Sequence, residues 1–233
     1  MAKSGFPRSQ VVLPGALVQL VEDLGIIIPN IVPFQYNPEK ITRGFEPWNP
    51  FATDAQNQAA QTPLVQPFDP QQTYSFDLEL DATDDIASGN PIAIAIGVAS
   101  RLAALRKLIE PTEGLFGDLI ASAKALGGGT ADRQAERPTV PIILLVMGPG
   151  TILPVRITEL SIEITEQTLQ LYPLRAKATL AMQVLTPDVF KCTETAATNV
   201  AIAAYNLTQL QDDALAIANF GNVASAIGSL LPV

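Results

Sequence analysis

Few side chains in this sequence could do chemistry. The 233 residues include no histidine and one cysteine, Cys192. Ser-His-Asp and Cys-His nucleophiles, histidine-ligated metals, an intrachain disulfide and a cysteine-rich zinc site are therefore excluded. Carboxylates, Lys and Tyr remain. Glu159, Glu163 and Glu166 recur through one stretch, and two carboxylates about 5–10 Å apart suffice for glycoside hydrolysis. On the polar side of an amphipathic strand, such residues more often make a solvated face. Arg175 and Lys177 share the polar face of the next strand and are expected to be their cross-strand partners. Asp81, Asp84 and Asp85 lack the central Gly and twelfth-position Glu of a calcium loop, and are expected to favour a helix N-terminus. Gly148-Pro149-Gly150 lacks the third glycine of a dinucleotide loop, since residue 153 is Leu, and no Lys-Ser/Thr follows Gly127 to Gly129. No cofactor and no metal is expected.

The formal charge, 14 Lys+Arg against 23 Asp+Glu, is −9, which repels polyphosphate, so no nucleic acid is expected as a partner. Only 16% of residues are charged and 48% are hydrophobic, little polarity for a monomer that must face water on all sides. That imbalance points to burial against other chains or in a membrane. The richest apolar runs, Gly25 to Ile28 and Val140 to Met147, fall short of the about 20 residues of a spanning helix, so direct membrane insertion is not expected. The first residues, Met1 to Arg8, include bases, but Pro14 and Gly15 break the apolar stretch that follows. The chain reads as cytoplasmic without a targeting segment, with Cys192 a reduced, semi-buried thiol.

The elements that must position these residues follow from periodicity. Leu17, Leu20, Val21 and Leu24 fall at helical spacing before Gly25, predicting a short helix over 15–24 within an N-terminal arm of residues 1–30. Ile31 to Tyr36 reads as a strand. From Gly44 to Gln72 the sequence is proline-punctuated and irregular, a loop long enough to be functional. It carries Phe45, Trp48 and Phe51, read as anchors into a neighbouring subunit. Tyr74, Phe76, Leu78 and Leu80 alternate with polar residues, as in a strand with one wet face. Asn90-Pro91 starts a single helix over 91–109, and Glu113 to Leu126 predicts a second, shorter one. Val140 to Met147, Val155 to Ile164 with a bulge at Thr158-Glu159, and Leu174 to Val184 predict three strands.

Consecutive antiparallel strands with one central helix give an α+β class, a small β-barrel or sandwich over residues 31–190. Residues 191–233 read as a helical extension. In it, Val200, Ala203, Leu207, Leu210, Ala214 and Ile217 form one apolar stripe on a helix started by Thr193 or Thr195, and such a seam needs a partner.

Three blocks taken in order resemble the tube-like domain of contractile injection system tube and spike-adaptor proteins, relatives of phage tail-tube components. Phe34-Gln35-Tyr36-Asn37-Pro38-Glu39-Lys40-Ile41 is similar to that family's opening strand and turn, and Tyr74 to Asp81 is similar to its early strand before a helix. Pro141 to Gly148, Val155 to Leu160 and Pro173 to Leu180 are similar to its later strands. The resemblance implies a tail-tube type fold and a non-catalytic subunit of a hexameric baseplate ring. That ring would join the spike hub to the inner tube and initiate tube assembly, as part of an assembled particle in the cytoplasm. The family's usual LysM domain is not in the sequence. Candidate subunit-interface residues are Phe45, Trp48, Phe51, Arg101, Arg106, Arg175, Lys177, Val200, Leu207, Leu210 and Ile217. The competing expectation is a carboxylate-only glycoside hydrolase or a carbohydrate-binding β-barrel.

Overall fold

The structure is a computed structural model and describes residues 14–23, 26–49, 66, 68–110, 141–193, 195–220 and 223. Its strands are β1 (Ala16–Asp23), β2 (Ile26–Pro33), β3 (Ile41–Glu46), β4 (Gln71–Asp81), β5 (Ile142–Met147), β6 (Thr151–Gln167) and β7 (Pro173–Val184). Its helices are α1 (Thr83–Ala87), α2 (Pro91–Ile96), α3 (Ala99–Lys107) and α4 (Ala196–Ala218), with a 3-10 turn at Pro187–Phe190. The strands form one seven-stranded sheet in the order β2-β1-β5-β6-β7-β4-β3, and every neighbouring pair is antiparallel.

Alternation in β4 and β7 sets the core. Tyr74, Phe76, Leu78 and Leu80 pair in register with Met182, Leu180, Ala178 and Ala176, and all eight are buried on one side of the sheet. Fully burying a side chain such as Leu180 stabilises by about 2 kcal/mol. Leu105 and Leu108 at the end of α3 lie over this face, with Leu17, Leu145, Leu153 and Val155 completing the cluster.

Past β2 the chain leaves its ladder and turns onto β4, and the block Phe34 to Asn37 makes the junction. The Phe34 ring packs on Phe76 with centroids 5.5 Å apart. The Gln35 side chain pairs with the backbone of Asp81, donating to its carbonyl at 2.6 Å and accepting from its N–H at 3.0 Å. Gly15 N–H donates to the Asn37 side chain at 2.9 Å. The strand expected over 31–36 ends at Pro33: Phe34 N–H still donates to the Gly15 carbonyl at 2.8 Å, but the Phe34 ring and the Gln35 side chain are spent on joining the sheet to itself.

Two other expectations are corrected. Residues 16–23 are a strand, not a helix. Leu17 enters the main core while Val18 and Leu20 face a second cluster on the opposite side of the sheet. A strand covered on both faces carries apolar residues at three- and four-residue spacings without being helical. The helix expected over 91–109 is broken into α2 and α3 at Gly97, whose φ is +57. The break lets Val98 N–H donate to the Pro173 carbonyl at 2.9 Å, and a Cβ at Gly97 would collide with that same carbonyl oxygen. Asn90 caps α2 as expected, accepting from Ile92 N–H at 3.0 Å.

The irregular excursion is shorter than expected at both ends, since Gly44 to Glu46 complete β3 and Gln71 opens β4. The expected bulge at Thr158-Glu159 is present as a register shift between Ile157 and Glu159. The second helix expected at Glu113 to Leu126, the Gly127 to Pro138 segment, Phe51 and most of the tail after Phe220 lie outside the described residues. Cys192, expected to be semi-buried, is exposed in the turn that precedes α4.

A reciprocal capping box holds the start of α4. Thr198 N–H donates to the Thr195 hydroxyl at 3.2 Å, and Thr195 N–H donates to the Thr198 hydroxyl at 2.9 Å. The helix sits on the far side of the sheet from α3, where Ala197, Ala201 and Ala204 meet Leu20, Leu144 and Phe190. Thr208 stitches it to β6, donating to the Ile152 carbonyl at 2.8 Å and accepting from Ile152 N–H at 3.0 Å.

Candidate interaction surface

The 17 residues of β6 lie in two environments. Residues 151–155 pair with β5 and meet β7 only at Val155, their other side being closed by Leu185 N–H on the Pro154 carbonyl and by the Thr208 hydroxyl on Ile152, whereas residues 156–167 pair only with β7 among the described residues. β5 pairs with β6 no further than Val155, so the rest of the strand offers one row of backbone N–H and C=O groups to whatever lies beside it. Cross-strand partners share a face, so Leu160, Ile162 and Ile164, opposite Leu180, Ala178 and Ala176, lie on the core side of the sheet. Ile162 is nonetheless 36% exposed and Ile164 44%. An apolar face joined to an open backbone edge is a template for another strand.

Among the described residues the sheet ends at β3, and its inner side shows the same combination. Ile41, Arg43 and Phe45 pair with Phe76, Tyr74 and Gln72, yet Ile41 and Phe45 are exposed. The Arg43 guanidinium lies 5.1 Å from the Tyr74 ring centroid and 5.4 Å from that of Phe45, covering the Tyr74 ring while leaving Phe45 outward. Burial is the largest influence on the Tyr74 hydroxyl and holds its pKa above the usual tyrosine value.

Beyond Gln167 the β6–β7 hairpin carries a second apolar display. Leu169 is 100% exposed and Leu171 76%. Leu171 also holds a positive φ of 65, a conformation that costs a β-carbon residue roughly 1–2 kcal/mol. The tip is closed by Leu171 N–H donating to the Thr168 carbonyl at 2.9 Å and Thr168 N–H donating to the Tyr172 carbonyl at 2.8 Å.

The polar face of the same strands is a row of exposed ion pairs. Arg175 bridges Asp81 at 2.8 Å and Glu166 at 3.2 Å, and Lys177 reaches Asp77 at 2.9 Å. The hydrogen bond from Lys177, with a second from Thr179, holds the Asp77 carboxyl below its usual pKa. At Asp81 burial is the largest single influence and pushes upward, but bonds from Thr83 and Arg175 outweigh it and the net shift is downward. Of the three glutamates expected to pair across the strands, Glu166 does so. Glu163 stands opposite Lys177 in register, and Glu159 stands opposite Ala181. All three are exposed, and the pocket at Gly15, Phe34, Asn37, Pro38, Ile41, Met147 and Gly148 has no carboxylate in its lining.

The other expected interface residues divide by what they touch. Arg101 donates to Gln35 at 2.7 Å and to Asp85 at 2.7 Å, so it ties α1, α3 and the Phe34 junction together within the chain. Asp84, next to it, accepts from the Tyr36 hydroxyl at 3.3 Å. Arg106 is turned outward and pairs with Glu110 at 2.8 Å. Trp48 is half-buried. Val200, Leu207, Leu210 and Ile217 are all exposed.

The sequence reasoning missed the open half of β6 and the Leu171 tip. The length of the apolar alternation, longer in β6 than in β5, was the signal available for the first. No family model matches the chain, and no curated protein matches it. No helix among the described residues is long and apolar enough to cross a membrane.

Proposed function

We propose that this chain is a structural ring subunit of a contractile injection system baseplate, placed between spike hub and inner tube, and that its work is assembly rather than catalysis. The observation that carries the reading is the half of β6 from Arg156 to Gln167, which among the described residues is bonded on one side only and exposes Ile162 and Ile164 on the core side. Hydrogen-bonding this edge to the β3 edge of the next copy extends one sheet across the subunit boundary. It also brings Ile162 and Ile164 beside Ile41 and Phe45 of the neighbour. The contact is heterologous, joining one surface to a different one, and repetition of such a contact closes a ring or continues a stack. The three sequence blocks that resemble tube and spike-adaptor proteins supply the particle context, and a ring of six is the arrangement that resemblance implies.

The low charge then has a physical account, because apolar strand faces that would aggregate as open edges are covered by copies of the same chain. Native mass spectrometry of the full chain tests it. A ring of several copies is expected, falling to smaller species when Ile162→Lys and Ile164→Lys are combined. A wild-type chain that stays single-copy at high concentration, or a double variant that assembles unchanged, contradicts the reading.

A further inference from the structure

We infer that α4 pairs with α4 of a second copy, antiparallel, about a two-fold axis. Val200, Ala203, Leu207, Leu210, Ala214 and Ile217 follow the alternating three- and four-residue spacing of a heptad seam. All six are exposed. At about 100° per residue they centre about 130° around the helix from Ala197, Ala201, Ala204, Tyr205 and Thr208, which with Thr198 are the buried residues that seat the helix on its own sheet. The seam can therefore be covered without disturbing that seat, and the two bodies fall on opposite sides of the helix pair.

The occupant is read from the order of sizes, which is the same in both directions: large, small, large, large, small, large. An antiparallel pair centred between Leu207 and Leu210 sets Val200 against Ile217 of the second copy, Ala203 against Ala214, and Leu207 against Leu210. The two alanine layers let the backbones approach closely, and this self-complementarity is what a two-fold contact requires. Charge favours the same direction. No Lys or Arg occurs from Ala196 to Ala218, and the acidic residues there are Asp212 and Asp213. Asp212 faces Arg43 of its own chain at 3.9 Å. Antiparallel pairing sends the two Asp213 carboxylates to opposite ends of the seam and opposes the helix dipoles. The parallel arrangement aligns both. A helix without basic groups also offers little for a differently charged partner to read. This contact uses a different surface from the sheet edges and does not rest on the ring reading.

Cross-linking decides the direction. In a Cys192→Ser background, Ala203→Cys and Ala214→Cys are made as two separate full-length proteins, both at exposed positions. Antiparallel pairing predicts a disulfide-linked species on oxidising the mixture and almost none from either protein alone, because only the 203–214 layer brings thiols within the about 4.4–6.8 Å Cα separation a disulfide needs. Cross-linking of each protein with itself, or no cross-link in the mixture, overturns the inference. Separately, Leu207→Glu combined with Leu210→Glu should halve the sedimenting mass and raise the dissociation constant more than about a hundredfold, the scale of losing central interface side chains. The far-UV spectrum should be retained. An unchanged mass overturns the inference equally.

Discussion

The two halves of β6 both turn apolar residues to the core side of the sheet and differ in what flanks them. From Thr151 to Val155 the strand pairs with β5, its other side is closed by Leu185 and by Thr208 of α4, and Leu153 and Val155 are closed off from water. From Arg156 to Gln167 the inward-facing Leu160, Ile162 and Ile164 continue the same alternation with β7 alone paired beside them among the described residues. Burial along this strand thus follows whether both of its sides are covered, by a strand or by other backbone and side chains, and not only the residue's own hydrophobicity. The exposed apolar residues of the second half are where the proposed ring contact places a neighbour.

The largest expected effect breaks that comparison directly. Leu153→Ala should cost about 3 kcal/mol through lost burial and a residual cavity, read from urea unfolding. Ile162→Ala, measured under conditions where the chain is single-copy, should cost less than about 1 kcal/mol. Equal losses would mean that the second half is already covered within one chain. Next is Gly97→Ala, expected to cost about 2–3 kcal/mol because it strains a positive φ and pushes Cβ into the Pro173 carbonyl. Pro173 opens β7 opposite Gln167, so amide exchange in this variant should rise first at the hairpin, sparing the first half of β6.

A smaller loss, about 1 kcal/mol, is expected for Arg101→Ala, which removes the hydrogen bonds to Gln35 and Asp85 at a half-buried site. The thermal midpoint should fall while assembly persists, separating this tether from the interface role first expected of it.

Much of this was legible in the sequence where one face of an element is dry and the other wet. β7 and β4 announce themselves by strict alternation, and Thr195 and Asn90 are visible as helix starts because their side chains do the capping locally. The failures have the opposite cause. β1 imitates a helix because α4 covers its outer face, and nothing local reveals a helix elsewhere in the chain. Gly97 bends the 91–109 segment only because Pro173 waits there. In α4 the conspicuous apolar stripe faces outward, while the face that binds the sheet is built of Ala and Thr with Tyr205, residues that carry no hydrophobic signal strong enough to outweigh it. Arg175 was foreseen as a partner of a strand glutamate, but its closer bond, to Asp81, crosses to β4 and needed the strand order.

The smallest expected effect lies on the polar face. The folded-state pKa values of Asp77 and Asp81 are below their unfolded values, so the stability they contribute is present above about pH 4 and is lost as pH falls through the lowered folded values. The urea midpoint should therefore drop on acidification below about pH 4, and Asp77→Asn should flatten that drop slightly without altering the response of the apolar face.

Amide hydrogen exchange along β6 in the assembled full-length protein tests the central claim most directly. The claim predicts that the amides of residues 156–167 pointing away from β7 become as protected as those pointing toward it, and that Ile162→Lys with Ile164→Lys returns them to fast exchange. If those outward amides exchange rapidly in the assembled wild type, the open edge is not a subunit junction and the account is contradicted.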